Sequence, residues 1–291
     1  MQQSAGISEK PRSAAVRAAL CDEIADALAA LWEQRRPNDE AMHQVRKDLK
    51  RARAALRLLR DAVGEAAYAQ ENVELRDAAR PLAGVRDAVV ALGVLRELLR
   101  KEKKPARRAI LREVRRSLHE ERLHERDKLL RGWKLAGLES ALHDAGARAE
   151  YWRFPLDDAP VLRTGFERVY RKGRKALKQA RSEGSTQSLH ESRKQVKYLQ
   201  QAAAITAGAG SRRLKKLAKR AESVADYLGQ DHDLAAVQAR LAAFPGQTKA
   251  ERTLIARIEA RRARLQKKAL RQARRLYRKK PTAFLEQVLP G

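Results

Sequence analysis

Two short stretches of this chain carry the same chemistry. His43-Gln44-Val45-Arg46-Lys47-Asp48-Leu49-Lys50 and His190-Glu191-Ser192-Arg193-Lys194-Gln195-Val196-Lys197 both read His-x-x-Arg-Lys-x-x-Lys. Arg presents a planar fork to two oxygens of an anion, and Lys a mobile point charge. A neutral imidazole adds a hydrogen bond with little charge. The mixture suits a repeating phosphate chain whose register need not be fixed.

The first stretch continues into a row. At about 100° per residue, His43, Arg46, Lys50, Arg53, Arg57 and Arg60 fall within an arc of roughly 100°, with Lys47 beside it. Val45, Leu49, Ala52, Leu56, Leu59 and Val63 take the opposite side, and Asp48 and Asp61 fall near the apolar edge. Like charges at i,i+3 and i,i+4 destabilise a helix, and an ordinary solvated face would intersperse Glu. The row therefore points to an anionic ligand. In the second stretch Tyr198, Gln200 and Gln201 stand where further cations would continue it. Nearby cations form a secondary set: Arg212, Lys215, Lys216 and Lys219, then Arg264, Lys268 and Arg271 on the last long helix, with Arg60 ending the first row. For the clusters beyond Arg60 a solvated charged face explains the sequence as well as binding does.

Other chemistries fit poorly. His43 and His190 sit among cations, a bad field for a divalent metal. His119 and His124 are five residues apart rather than four, so a helix turns them away from one another. His232 beside Asp231 and Asp233 is at most a weak pair. No phosphate-cradling glycine loop, nucleophile elbow or acid/base carboxylate pair is present, so neither a metal, nor a cofactor, nor catalysis is expected. Asp87 and Asp233 are expected to orient cations or cap backbone.

The elements that must carry these residues are helices. Ala, Leu, Arg, Lys, Gln and Glu dominate, all strong helix formers, and strand-type runs are absent. Periodicity and breaks predict helices over 12–34, 39–63, 67–81, 85–102, 106–131, 134–148, 161–181, 187–207, 211–228, 231–243 and 248–280. Pro37-Asn38-Asp39, Pro105, Gly184-Ser185-Thr186 and Pro245-Gly246 supply boundaries. A second pair of motifs follows the first in nearly the same register: Leu82-Ala83-Gly84-Val85-Arg86-Asp87 lines up with Leu228-Gly229-Gln230-Asp231-His232-Asp233. The chain thus reads as one bundle used twice. Residues 1–11 are expected to be a disordered tail, 12–150 a first helical bundle, 151–160 a linker with two prolines and 161–281 a second bundle, with 12–281 forming one domain.

The formal charge is +28, of which +7 falls on residues 1–150 and +21 on the rest. So large an excess repels itself and calls for an anionic partner. Cys21 is the single cysteine, which excludes an internal disulfide framework. No window approaches the roughly 20 apolar residues of a membrane span, and no secretory signal opens the chain. A cytoplasmic protein with no membrane partner is expected.

The ordered, duplicated motifs resemble the CHAD domain, the conserved histidine α-helical domain, from about Arg12 to Pro281. The resemblance implies an all-α fold of two helical bundles related by a pseudo-twofold axis, with a basic cavity between them that binds inorganic polyphosphate. It implies association with polyphosphate granules. Carried onto matching positions, the contacts would be His43, Arg46, Lys47, Lys50, His190, Arg193, Lys194 and Lys197; helical geometry adds Arg53 and Arg57. The second row stops early, which questions equal use of the two halves. Family members are often fused to a strand-built triphosphate tunnel, whose Glu-x-Glu-x-Lys carboxylates are not found in this sequence. The alternative function is nucleic-acid binding at the nucleoid, with nucleic acid a secondary partner. Against it stand the scarcity of aromatics for base stacking and the lack of a base-reading helix. An enzyme acting on polyphosphate or a phosphate ester ranks third.

Overall fold

A computed structural model describes residues 12–33, 38–131, 134–155, 159–207, 211–243 and 248–289. The tail over 1–11, Pro37, residues 156–158 of the linker and Pro245-Gly246 lie outside the described residues. Within them all regular structure is helical: α1 (Arg12–Trp32), α2 (Asp39–Val63), α3 (Glu65–Ala79), α4 (Ala83–Lys101), α5 (Pro105–Leu130), α6 (Lys134–Glu150), α7 (Ala159–Glu183), α8 (Thr186–Ala207), α9 (Arg212–Ala242), α10 (Lys249–Leu276) and α11 (Pro281–Val288).

Local chemistry sets the ends. The Asn38 side chain accepts from the Ala41 N–H at 2.8 Å and opens α2, as expected of a capping residue. Thr248 and Glu251 form a reciprocal capping box at the start of α10. Pro105 and Pro281 occupy first turns, where the missing N–H is not needed. Gly64, at φ 85°, lets α3 begin directly after α2.

Two elements differ from the sequence expectation. The break expected at Gly229-Gln230 is absent, and α9 runs unbroken from Arg212 to Ala242. One Gly inside a helix costs only about 1 kcal/mol, which the buried side chains on either side of it outweigh. Conversely, the helix expected over 248–280 stops at Leu276, and Pro281 starts the separate α11.

The main core draws on both halves of the sequence: α1, α2, α3, the start of α4, the end of α5, α6, α7, α8, the first half of α9, the end of α10 and α11. A smaller second core joins α4 and α5 to the second half of α9 and the first half of α10. One close approach matters for function. A Cβ on Gly165 of α7 would lie 2.5 Å from the Leu58 carbonyl of α2. The glycine thus lets α7 cross directly on α2 and brings its cations beside the α2 row. Among the described residues, no helix is long and apolar enough to cross a membrane.

Candidate basic site

The α2 row is held outward by its own back face: Val45, Leu49, Ala52, Leu56 and Leu59 are fully buried. Asp48, expected at the apolar edge, is buried too and accepts from Gln44 at 2.7 Å. The arginines are braced. Arg46 donates to the Ala79 carbonyl at 3.1 Å. Arg53 donates through two nitrogens to the Asn72 side-chain oxygen of α3 at 3.2 and 3.1 Å. Arg57 donates to the same oxygen at 3.3 Å and to the Tyr198 hydroxyl at 3.2 Å, with its guanidinium 3.9 Å from the centre of the Tyr198 ring. Arg60 forks onto Glu65 and lies 4.8 Å from the centre of the Tyr68 ring. His43 is half-buried, and Lys47 and Lys50 are exposed.

The α8 row comes up beside it. Arg57 meets Tyr198, and Lys50 lies within electrostatic reach of Arg193. Arg193 rests on α9, where a Cβ on Gly229 would stand 3.4 Å from its Nε. The glycine expected to break the helix instead lies within it, in contact range of a guanidinium. The His190 ring packs on His232 with centroids 4.6 Å apart. Lys194 pairs with Glu191, and Lys197 donates to Gln200 at 3.0 Å, toward α9.

Crowding and like charge show in the titration. Lys50 keeps open surface, yet the protein packed around its stem, then Arg46 and Arg193, push its pKa down to about 8, with Asp87 opposing. His43, His190 and His232 are all lowered, first by burial; Arg86, His232 and Arg193 respectively are the largest charges acting on them. These imidazoles are therefore neutral at neutral pH. The sign for ligand binding follows. Lys50 is charged below about pH 8 and loses its charge above it, so affinity for a polyanion should fall between about pH 7 and pH 9. Lys50→Arg, whose charge does not titrate there, should flatten that part of the profile. A parental profile in Lys50→Arg would show that another group titrates.

The second motif pair divides its labour. Asp231 is buried and accepts from Arg262 at 3.0 Å and Gln266 at 2.9 Å, fixing α10 to α9. His232 and Asp233 face the cations instead. Burial raises the Asp233 pKa, with Arg193 and Arg86 opposing. Asp87 acts on Arg46, Lys50 and His232. The two equivalent aspartates thus lie within electrostatic reach of the cations of the basic rows.

At the end of the α2 row a pocket of about 230 Å³ opens between α2, α3, α7 and α8. Arg53, Arg57, Arg60 and Lys194 reach it as members of the sequence-derived set, and Tyr68, Arg168, Lys172, Gln195 and Tyr198 complete its polar wall. Tyr68, Asn72, Arg168 and Lys172 were not among the expected site residues, and Arg86 had no expected role. The structure does not bring Arg212, Lys215, Lys216, Lys219, Arg264, Lys268 or Arg271 to this pocket; they are exposed on α9 and α10.

Fold and site together define a protein that is all-helical among the described residues, with a small cation-lined pocket between α2, α3, α7 and α8. The chain belongs to the CHAD domain family, whose model matches residues 18–242. Among solved structures it is similar to PptA from Streptomyces chartreusis, at a TM-score of 0.68 and 16% identity, covering 93% of this chain and 100% of that one. It is also similar to the crystal structure of the CHAD domain from the plant Ricinus communis, at a TM-score of 0.67 and 19% identity, covering 95% of each chain. No curated protein matches the chain by sequence.

Proposed function

We propose that this protein binds inorganic polyphosphate, without catalysing a reaction on it, along the facing cation rows of α2 and α8. The observation that carries the reading is the juxtaposition of Lys50 with Arg193. They come from opposite halves of the chain, and burial, then repulsion from Arg46 and Arg193, lowers the Lys50 pKa. A polyanion between them relieves that repulsion. His43 and His190, at the starts of the rows, offer neutral hydrogen bonds. Arg46, Arg53 and Arg57 are already held in place by Ala79 and Asn72, so little side-chain freedom is lost when phosphate arrives. In a cell the same chemistry would recruit the protein to cytoplasmic polyphosphate granules.

The test is competition. Long-chain polyphosphate should displace duplex and single-stranded DNA at matched phosphate concentration and physiological salt. Its affinity should fall steeply with salt, as expected when bound cations are released from a polyanion. Binding should survive a metal chelator and leave the polymer intact. DNA winning the competition would overturn the ligand assignment. Chelator-sensitive phosphate release would overturn the non-catalytic one.

A further inference from the structure

The charges around the pocket at the end of the α2 row do not cancel. Six basic side chains line it: Arg53, Arg57, Arg60, Arg168, Lys172 and Lys194. Three are matched, Arg60 by Glu65, Arg168 by Asp61 and Lys194 by Glu191. Arg53 and Arg57 lean on neutral partners, Asn72 and Tyr198. Among the described residues Lys172 makes no ion pair. It feels the charges of Arg60, Arg57 and Arg168, with Glu191 opposing them. The surplus is three positive charges facing about 230 Å³. That is below the roughly 300–1,000 Å³ of ordinary small-ligand pockets. It admits a compact anion and not a folded length of polymer.

We propose that this pocket takes the terminal phosphate group of a polyphosphate chain. The inference rests on the reading that the facing helices bind polyphosphate. An internal unit of the chain has two free oxygens and one charge. A terminal unit has three free acceptor oxygens and about one and a half to two charges at neutral pH. Along α2 and α8 donors come from two rows, which a two-oxygen unit satisfies. In the pocket they come from α2, α8 and, through the Gly165 crossing, α7. A three-oxygen group answers three directions. The terminal unit and its neighbour together carry close to the surplus charge of the pocket. Arg168 and Lys172 are thereby ligand-binding residues on a helix that bears neither histidine motif.

The experiment compares linear tripolyphosphate, which has two terminal groups, with cyclic trimetaphosphate, which has three phosphates and none, by titration calorimetry. The linear form should bind at least tenfold more tightly. Lys172→Ala should bring the linear form down to the cyclic one, and should cost long chains proportionally less because they keep Lys50 and Arg193. To separate a free short anion from the end of a long one, long polyphosphate with both ends blocked as phosphoramidates serves as competitor. It should displace tripolyphosphate at least tenfold less well than the unblocked polymer. Equal binding of linear and cyclic forms, an unaffected Lys172→Ala, or equal competition by blocked chains would overturn the proposal. Lys172 is exposed, so its loss leaves the fold intact. Failure of long chains to bind the parent protein would instead overturn the polyphosphate reading, so the two failures are distinguishable.

Discussion

Lys50→Glu combined with Arg193→Glu should weaken polyphosphate binding by at least about a hundredfold while leaving the helices folded. A charge-assisted contact contributes about 1.5–3 kcal/mol, and two are lost. The two carboxylates then repel the ligand, which widens the gap. Neither residue belongs to the apolar core: Lys50 is exposed, and Arg193 lies over Gly229 on the surface of α9. The double variant is more informative than either single one. Lys50→Glu alone would set its new carboxylate against Arg193, and Arg193→Glu alone would set one against Lys50, so each could form a new ion pair. Arg53→Glu is a poorer probe, since Arg53 and Arg57 share Asn72 and would rearrange together. His43→Ala should cost less than the double change, because its imidazole is held neutral. The measurement is a titration at two salt concentrations, with circular dichroism as the folding control. A folded double variant with parental affinity would remove the facing rows from the site.

How much of this site could be read beforehand depends on what kind of signal each residue leaves. The α2 row is a periodic pattern on one helix, so its members and its buried back face follow from spacing alone. The duplicated motifs likewise place α8. Arg168 and Lys172 leave no such trace. They stand on α7 among other cations, and they enter the site because Gly165 lets α7 press onto α2. Asn72 and Tyr68 are ordinary residues of α3 that become supports once α3 folds back along α2. Gly229 was ambiguous for a physical reason: a helix interior and a helix break both accept glycine, and the guanidinium packed over it comes from a residue 36 positions away. Asp231 and Asp233 look interchangeable in the sequence, yet one is buried against Arg262 and the other faces Arg193. Helix periodicity assigns a residue to a face; which helix meets that face is set by packing between segments far apart in the chain. Pro281 left a start signal that the expected helices did not use: the last one was placed over 248–280, and no helix was expected after it.

The largest effect on stability should come from Glu102, at the turn between α4 and α5. Its side chain is 6% exposed. One oxygen accepts from the backbone N–H groups of Lys103 and Lys104 and from Arg107, each at 2.9 Å; the other accepts from Arg257 of α10 at 3.0 Å. Arg108 closes the same turn by donating to the Leu99 and Glu102 carbonyls. The carboxylate therefore ties the tip of the α4–α5 hairpin to α10, beside the second core. Breaking a buried pair by removing one partner costs about 3–5 kcal/mol, because the remaining charges and N–H groups lose their acceptor. Glu102→Gln keeps the shape and should lose about 3 kcal/mol at pH 7, at the low end of that range, since Arg257 is partly solvated. The pH dependence has a definite sign. Hydrogen bonding from Arg107, then from the Lys104 N–H, and the charges of Arg107 and Arg257 outweigh burial and hold the Glu102 pKa down to about 2, below its ordinary 4.5. A carboxyl lowered on folding stabilises fully above its unfolded pKa and loses that contribution as pH falls through the folded one. The gap between parent and Glu102→Gln should therefore be widest near neutrality and shrink between about pH 4.5 and pH 2. Urea midpoints at pH 7 and pH 3 measure it. Equal midpoints at pH 7 would mean that the second core holds without this carboxylate. The second core also supports the part of the site that carries Arg86 and Asp87 on α4 and His232 and Asp233 on α9. A destabilised Glu102→Gln should accordingly show weakened polyphosphate affinity though the substitution touches none of the basic rows, and Lys50→Arg, made in the same background, should not restore it.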